Sequence, residues 1–336
     1  MRRSKIIVVS LLVLLSLLAT QCSPAAPVEE ASDAKVWKLA AIFPGVITDA
    51  DYNTLAYEGI VGLQQETGIE TAYSESVAVP DVDRVMREYI DAGFNIIWTH
   101  GGQFVTQTAD LAVQFPEVVF IAEGDDALVD PPANLWFIDR NFHTGFYGIG
   151  AVAARATKTG KIGYLGGLTL PFSYAEAHAV QQAVTDSGLD VEVKMAWAGD
   201  FNDPTKARQV ADALIAEGCD VIMGSMNLGM FGLFEAVKAA ESEVLVTAKY
   251  TDKASYAPEN YITAFIYDFT IPLKSIYESV QAGELGGYYP LGFDTGAFIQ
   301  TPLQNVDPAI ATEVEAILQD VIDGKIEVVK DTSEIK

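Results

Sequence analysis

The chain has 336 residues, half of them apolar, and a formal net charge of −25 from 46 acids against 21 lysines and arginines. That length suits one or two domains and that composition fills a core, so a disordered chain is excluded. A surface so acidic repels nucleic acid and anionic lipid, and both are poor partners for it.

The first residues, "MRRSK", form a short basic region. The apolar run "IIVVSLLVLLSLLAT" that follows is short for a membrane span, and Cys22 stands just beyond it. Residues 1–21 therefore read as a secretory signal. A cysteine at that place, ahead of "SPAAPVEEASDA", resembles a bacterial lipoprotein signal. Such a signal would make Cys22 the lipidated first residue of the mature chain and anchor it, outside the cytoplasm, to the cell membrane. Gln21 departs from the Gly or Ala usual before that cysteine, and ordinary secretion with cleavage nearby is the alternative. Residues 22–35 read as a flexible tether. Cleavage removes Arg2, Arg3 and Lys5 and no acids, leaving a charge of about −28. If Cys22 carries lipid, Cys219 has no partner for a disulfide within the chain; in "AEGCDVIMG" it reads as a small buried residue.

From residue 36 the pattern alternates. "VWKLAAI" reads as a strand, 52–67 as a helix, "TAYSESV" as a strand and "VDRVMREYIDAG" as a helix closed by Gly93. "NIIWTH" and "VVFIAEG" are further strands around the helix "FVTQTADLAVQFP". "LWFIDRN" reads as an extended connector, after which "GFYGIGAVAARAT" is a helix and "KIGYLGG" opens a second series. That series runs through helix 173–187, "DVEVKMAW", helix 204–217, "CDVIMG", helix 229–240 and "EVLVTAKY". Strands alternating with helices give parallel sheets covered on both faces. The expected fold is α/β with two lobes, each a mostly parallel sheet flanked by helices, and a ligand cleft between them at the carboxyl ends of the strands. Lobe 1 should hold 36–140 and about 268–290, and lobe 2 should hold 141–267 and about 291–336. Three crossings are expected, near 139–143, near 266–269 and after about 285.

The loops at those strand ends carry little that catalyses. The three histidines, at 100, 143 and 178, lack ligand spacing, so no metal is expected. No G-x-S-x-G elbow is present, and "KTGKIGYLGG" lacks the spacing of a phosphate loop. The loops do set aromatics beside carboxylates and amides. One holds Asp49, Asp51, Tyr52 and Asn53; another Trp197, Asp200, Phe201, Asn202 and Asp203; a third Lys249, Tyr250 and Asp252. Flat aromatic faces hold planar rings, and carboxylates and amides hold N–H or hydroxyl groups. The alternative for each is local packing or helix capping, with Asp203 before Pro204 the clearest cap.

Several stretches carry a resemblance. "GVITDADYNTLAYEG", "FPEVVFIAEG", "GIGAVAARATKTGKIGYLGG", "WAGDFNDPTKARQVADALIAEGCDVIMG" and "ITAFIYDFTIPL" resemble the BMP family (basic membrane protein, also called Med or PnrA-like). These are substrate-binding lipoproteins serving ABC-type importers of nucleosides and purines. The resemblance covers nearly all of the mature chain and implies a type I periplasmic-binding-protein-like fold. It implies that Tyr52 is the cleft aromatic of the first lobe, flanked by Asp49, Asp51 and Asn53, and that Phe201 is its counterpart on the second lobe. Glu123, Asp252 and Asp268 are then polar candidates at the ligand's edge. Gly102, Phe104, Phe172, Trp197 and Asn227, on the remaining loops, complete the expected contacts. The chain departs from nucleoside-binding members in "KYTDK", where Lys249 takes the first acidic place, and in Tyr267, which stands where a sugar-reaching Lys is found. A third departure is "IAEG", which replaces an Ile-Asp ending. The chain looks closer to the Med-like branch, and a free purine base, or another small planar or polar solute, stands beside a nucleoside as the ligand.

Three function classes follow. One is a solute-binding lipoprotein that captures a purine base or nucleoside for an ABC permease, as a monomer, with no cofactor and no catalysis. The second is a binding protein of the same fold that reports its ligand to a membrane receptor. The third, a nucleoside hydrolase, lacks both an acid cluster for a metal and a nucleophile–base pair.

Overall fold

The computed structural model describes residues 35–125 and 128–335. The signal segment, Cys22 and the tether up to residue 34 lie outside the described residues.

Two six-stranded sheets organise the chain. The first contains β1 (Lys38–Ile42), β2 (Glu70–Ser74), β3 (Ile96–Thr99), β4 (Val119–Gly124), β5 (Leu135–Asp139) and β11 (Gly287–Pro290), in the order β11-β5-β4-β3-β1-β2. All its pairings are parallel. The second contains β6 (Lys161–Gly166), β7 (Glu192–Trp197), β8 (Val221–Ser225), β9 (Leu245–Tyr250), β10 (Tyr261–Tyr267) and β12 (Ala297–Ile299), in the order β12-β10-β9-β8-β6-β7. Only β12 runs antiparallel. Central strands such as β3, β4 and β8 are buried along their whole length, as strands covered on both faces must be. The edge strand β2 has exposed residues because one side lacks a neighbour.

The helices are α1 (Tyr52–Thr67), α2 (Val82–Asp91), α3 (Val105–Gln114), α4 (Phe142–Ala156), α5 (Pro171–Ser187), α6 (Pro204–Ala216), α7 (Met230–Ala239), α8 (Thr270–Gln281) and α9 (Pro308–Ile322). They pack in pairs, α1 on α8, α4 on α5 and α6 on α7. None of those described is long and apolar enough to cross a membrane. Asp203 caps α6 as its sequence suggests, accepting from the Thr205 and Lys206 amides at 2.9 and 3.1 Å. Beyond α9, Ile326 and Val328 lie against Tyr147 and Ala151 of α4 and Ala179 and Ala183 of α5.

The α6–α7 contact depends on Gly232. A Cβ there would stand 1.9 Å from the Pro204 carbonyl oxygen, which is backbone and has little freedom to retreat. Gly232→Ala should therefore destabilise the fold by about 1–3 kcal/mol through overpacking, although alanine is the better helix former. Urea unfolding of the variant checks this, and an unchanged midpoint would mean that the helices can part.

The chain passes between the sheets three times. It leaves the first from β5 into α4, returns from β10 into α8, and passes again from β11 to β12. One expectation needs correction. "LWFIDRN" is more than a connector, because Leu135–Asp139 form a wholly buried strand held between β4 and β11. Cys219 is buried, and that burial pushes its thiol up to about 11.

Candidate functional site

The carboxyl ends of β1, β3, β4 and β5 bring four polar side chains together. Glu123, next to last in β4, is fully buried. It accepts a short hydrogen bond from the Tyr52 phenol. His100 Nδ1 lies 3.0 Å from the same carboxylate, and the Arg140 guanidinium lies 3.8 Å from it. Arg140 also donates to the Tyr52 hydroxyl at 2.7 Å and to Asp125 at 2.7 Å. Burial alone would raise the Glu123 carboxyl, but His100, Arg140 and the phenol around it hold it below its ordinary range. The Tyr52 phenol is pushed well above its ordinary value, chiefly by burial.

Tyr52 is fixed at its face as well as its hydroxyl. Its ring stacks on His100 with centroids 3.8 Å apart, and His100 Nε2 lies 2.9 Å from the Tyr52 carbonyl oxygen. The ring is thus a plate backed on one side and tied at its tip.

Phe201 is built similarly in the other lobe. It stacks on Phe172 at 5.9 Å with planes 16° apart. It also lies on Gly167, where a Cβ would stand 2.1 Å from the ring. Only glycine lets the ring approach the backbone this closely. A row of rings connects the two plates, from Phe172 to Phe142 at 5.7 Å, Phe142 to Tyr250 at 6.1 Å and Tyr250 to Tyr52 at 5.7 Å.

Beneath the row lies a buried ion pair. Lys249 Nζ is 2.5 Å from Glu176 and 3.7 Å from the Phe142 ring centroid, close enough for a cation–π contact. Glu176 also accepts from the Tyr164 hydroxyl at 2.8 Å and the Ser225 hydroxyl at 2.6 Å. Burial pushes Lys249 below the usual lysine range, against the pull of Glu176.

The other expected residues are placed as follows. Asp49 caps the start of α1, accepting from the amides of Asp51, Asn53 and Thr54. Burial would raise its carboxyl, and the bonds from Asn53 and these amides bring it below its ordinary range. Asn53 donates to Asp49 and accepts from the Gly45 amide, so both residues shape the loop that carries Tyr52. Gly102 lies beside the Arg140 guanidinium. Phe104 is fully buried in the core of the first lobe and presents no free face. Asp252 and Asp268 accept from the Ala254 and Thr270 amides, each closing a turn. The Asn227 amide donates to the Phe201 carbonyl, tying two loops of the second lobe. Trp197 packs edge-on to Tyr164 and Tyr174.

Some buried polar atoms have no hydrogen-bond partner among the described residues. They include Trp197 Nε1, the Tyr267 hydroxyl, Glu123 Oε2 and Asp125 Oδ1. Tyr267 adjoins the aromatic row, with its ring 5.1 Å from Phe142. The Tyr267 hydroxyl and the two acceptor oxygens of Glu123 and Asp125 thus accompany the row, which suits a ligand with both kinds of polar edge. Among the described residues no group of three His, Cys, Asp or Glu side chains could hold a metal ion.

Sequence reasoning passed over His100, Arg140, Asp125, Phe142 and Glu176. His100 and Arg140 did carry a signal. Each directly follows a buried apolar strand, at the end where ligands gather.

The model of a family described as ABC transporter substrate-binding protein, PnrA-like, matches residues 36–332. The chain is 29% identical over 241 residues to basic membrane protein A2 of Borrelia garinii, covering 69% of this chain and 68% of that protein. It is 26% identical over 269 residues to a putative ABC transporter glucose-binding protein of Haloferax volcanii, covering 77% and 66%. Among solved structures, a solute-binding protein of an ABC transporter system from Conexibacter woesei shares the fold with a TM-score of 0.77 at 23% identity, over 89% of this chain and all of that one. One from Aeropyrum pernix gives 0.75 at 19%, over 89% and 94%. With the match extending over both sheets and the loops between them, the chain belongs to the PnrA-like family of ABC transporter substrate-binding proteins.

Proposed function

We propose that the chain captures a purine base or nucleoside outside the cytoplasm, held to the membrane through lipid on Cys22, and passes it as a monomer to an ABC permease without transforming it. One observation carries this reading. Tyr52 and Phe201 come from different lobes, each is backed by another ring, and they stand at the two ends of one aromatic row. A planar heterocycle offers two faces to such plates. Its N–H groups suit Glu123 and Asp125, and its ring nitrogens or carbonyls suit Trp197 and Tyr267. Asp49 and Asn53 serve by holding the Tyr52 loop.

A sugar is the second reading, favoured by the relative in Haloferax volcanii that is named as glucose-binding. Sugar rings also lie on aromatic faces, and buried carboxylates accept from hydroxyls.

Calorimetry with adenine, guanosine and glucose separates the two. The mature protein should bind a purine, and Tyr52→Ala or Phe201→Ala should each weaken it by about 1–3 kcal/mol, roughly tenfold or more. Binding of glucose with indifference to purines would select the sugar reading. Purine binding unaffected by either substitution would remove the two plates from the site.

A further inference from the structure

Beside the aromatic row two loops from opposite lobes touch. On the first, Ala50 has φ 58°, and on the second, Tyr250 has φ 77°. Neither is glycine, and the left-handed region costs such residues about 1–2 kcal/mol each. Both stand where the loops meet. Thr251 Oγ1 donates to the Ala50 carbonyl at 2.7 Å, and Lys253 Nζ lies 2.5 Å from Asp51 Oδ1. Lys253 also donates to Thr251 Oγ1 at 2.8 Å and to the Lys249 carbonyl at 3.0 Å. The Asp51 and Lys253 side chains are each only 1% exposed.

Asp51 has no local duty that explains this burial. It occupies the N-cap position of α1, yet its side chain caps nothing, because Asp49 supplies those bonds. Its carboxylate is committed to a lysine that belongs to the other sheet's loops.

We propose that Asp51 and Lys253 are positioning residues for solute retention: with Thr251 and Ala50 they make a contact that exists only while the lobes are together, and so set the balance between closed and open. The three crossings allow such a hinge motion. The inference rests on membership of the substrate-binding family and not on the purine reading.

The contact is sensitive to protons. Asp51 faces Lys253 and Lys249 from β9 and the loop after it, Asp49 from its own loop, and the Tyr250 phenol. Burial, the largest cause, raises its carboxyl to about 7, with Lys253 and Lys249 pulling it down and Asp49 pushing it up. When the lobes part, Asp51 regains water and its ordinary carboxylate range. The closed arrangement therefore takes up a proton below about pH 7 that the open one does not. Falling pH favours closure, and rising pH favours release.

Small-angle X-ray scattering of the mature protein without solute tests this. The closed-to-open ratio should rise about tenfold from pH 8 to pH 6, as one proton with a closed-state value near 7 requires. Asp51→Asn should abolish that dependence. Lys253→Met should leave the protein more open than wild type at pH 8, and Lys253→Arg should restore the wild-type profile. Wild-type scattering that does not change with pH, or an Asp51→Asn profile like wild type, would overturn the proposal even if Lys253→Met fails to fold. No solute is present, so failure here and failure of the purine reading are separate results.

Discussion

Arg140→Met should lower the free energy of unfolding by about 3–5 kcal/mol, because it leaves a buried carboxylate without its guanidinium. Glu123 has no exposure, and Arg140 is the permanent cation beside it. The same substitution releases the Tyr52 hydroxyl and Asp125. The effect has a pH signature. In the folded protein the Glu123 carboxyl is held below its ordinary range. Its contribution is thus complete above the unfolded carboxylate value and is lost as pH falls through that value toward the folded one. Without Arg140 one of the causes of the depression is gone, so the variant should lose less stability than wild type as pH falls below the unfolded carboxylate value, and the gap between the two should narrow. Urea unfolding at pH 7, 5 and 4 measures both effects. A loss under 1 kcal/mol with an unchanged pH profile would mean that His100 and the phenol suffice.

Lys249→Met should cost a similar amount, about 3–5 kcal/mol, for the same reason. Glu176 would keep its bonds from Tyr164 and Ser225 but lose its counter-charge, in a site with no exposure. The double variant Lys249→Met/Glu176→Gln should recover most of that loss, since a neutral amide can keep the hydroxyl partners. The four proteins form a double-mutant cycle, and a coupling energy near zero would show that the pair is screened by the surrounding rings and hydroxyls.

The alternation of strands and helices was legible because buried parallel strands appear as short apolar runs between amphipathic helices. That pattern located the elements up to β9 within a few residues, though "LWFID" was hidden as a strand. It is brief, follows two prolines and ends at a charge, and its partner β11 lies far along the chain. The site was less legible, for two reasons. A plate such as Tyr52 can be guessed from its loop, but its backing by His100 and its tie to Arg140 join residues 48 and 88 apart. The acids of one loop are also alike in sequence and opposite in role. Asp49 satisfies its own helix while Asp51 reaches the other lobe, and only the path of the backbone through Ala50 separates them.

The late arrival of β11 bears on how the protein is made. Synthesis runs from the amino terminus, so all of β1 to β10 exists before residues 287–290 can reach β5. Until then β5 offers the first sheet's open edge, and the Asp139 carbonyl lacks the Leu291 amide that later binds it at 2.7 Å. An unpaired edge of that kind is a template for pairing with another chain. A chain truncated before residue 287 should therefore carry a nearly complete pair of sheets and still associate with copies of itself.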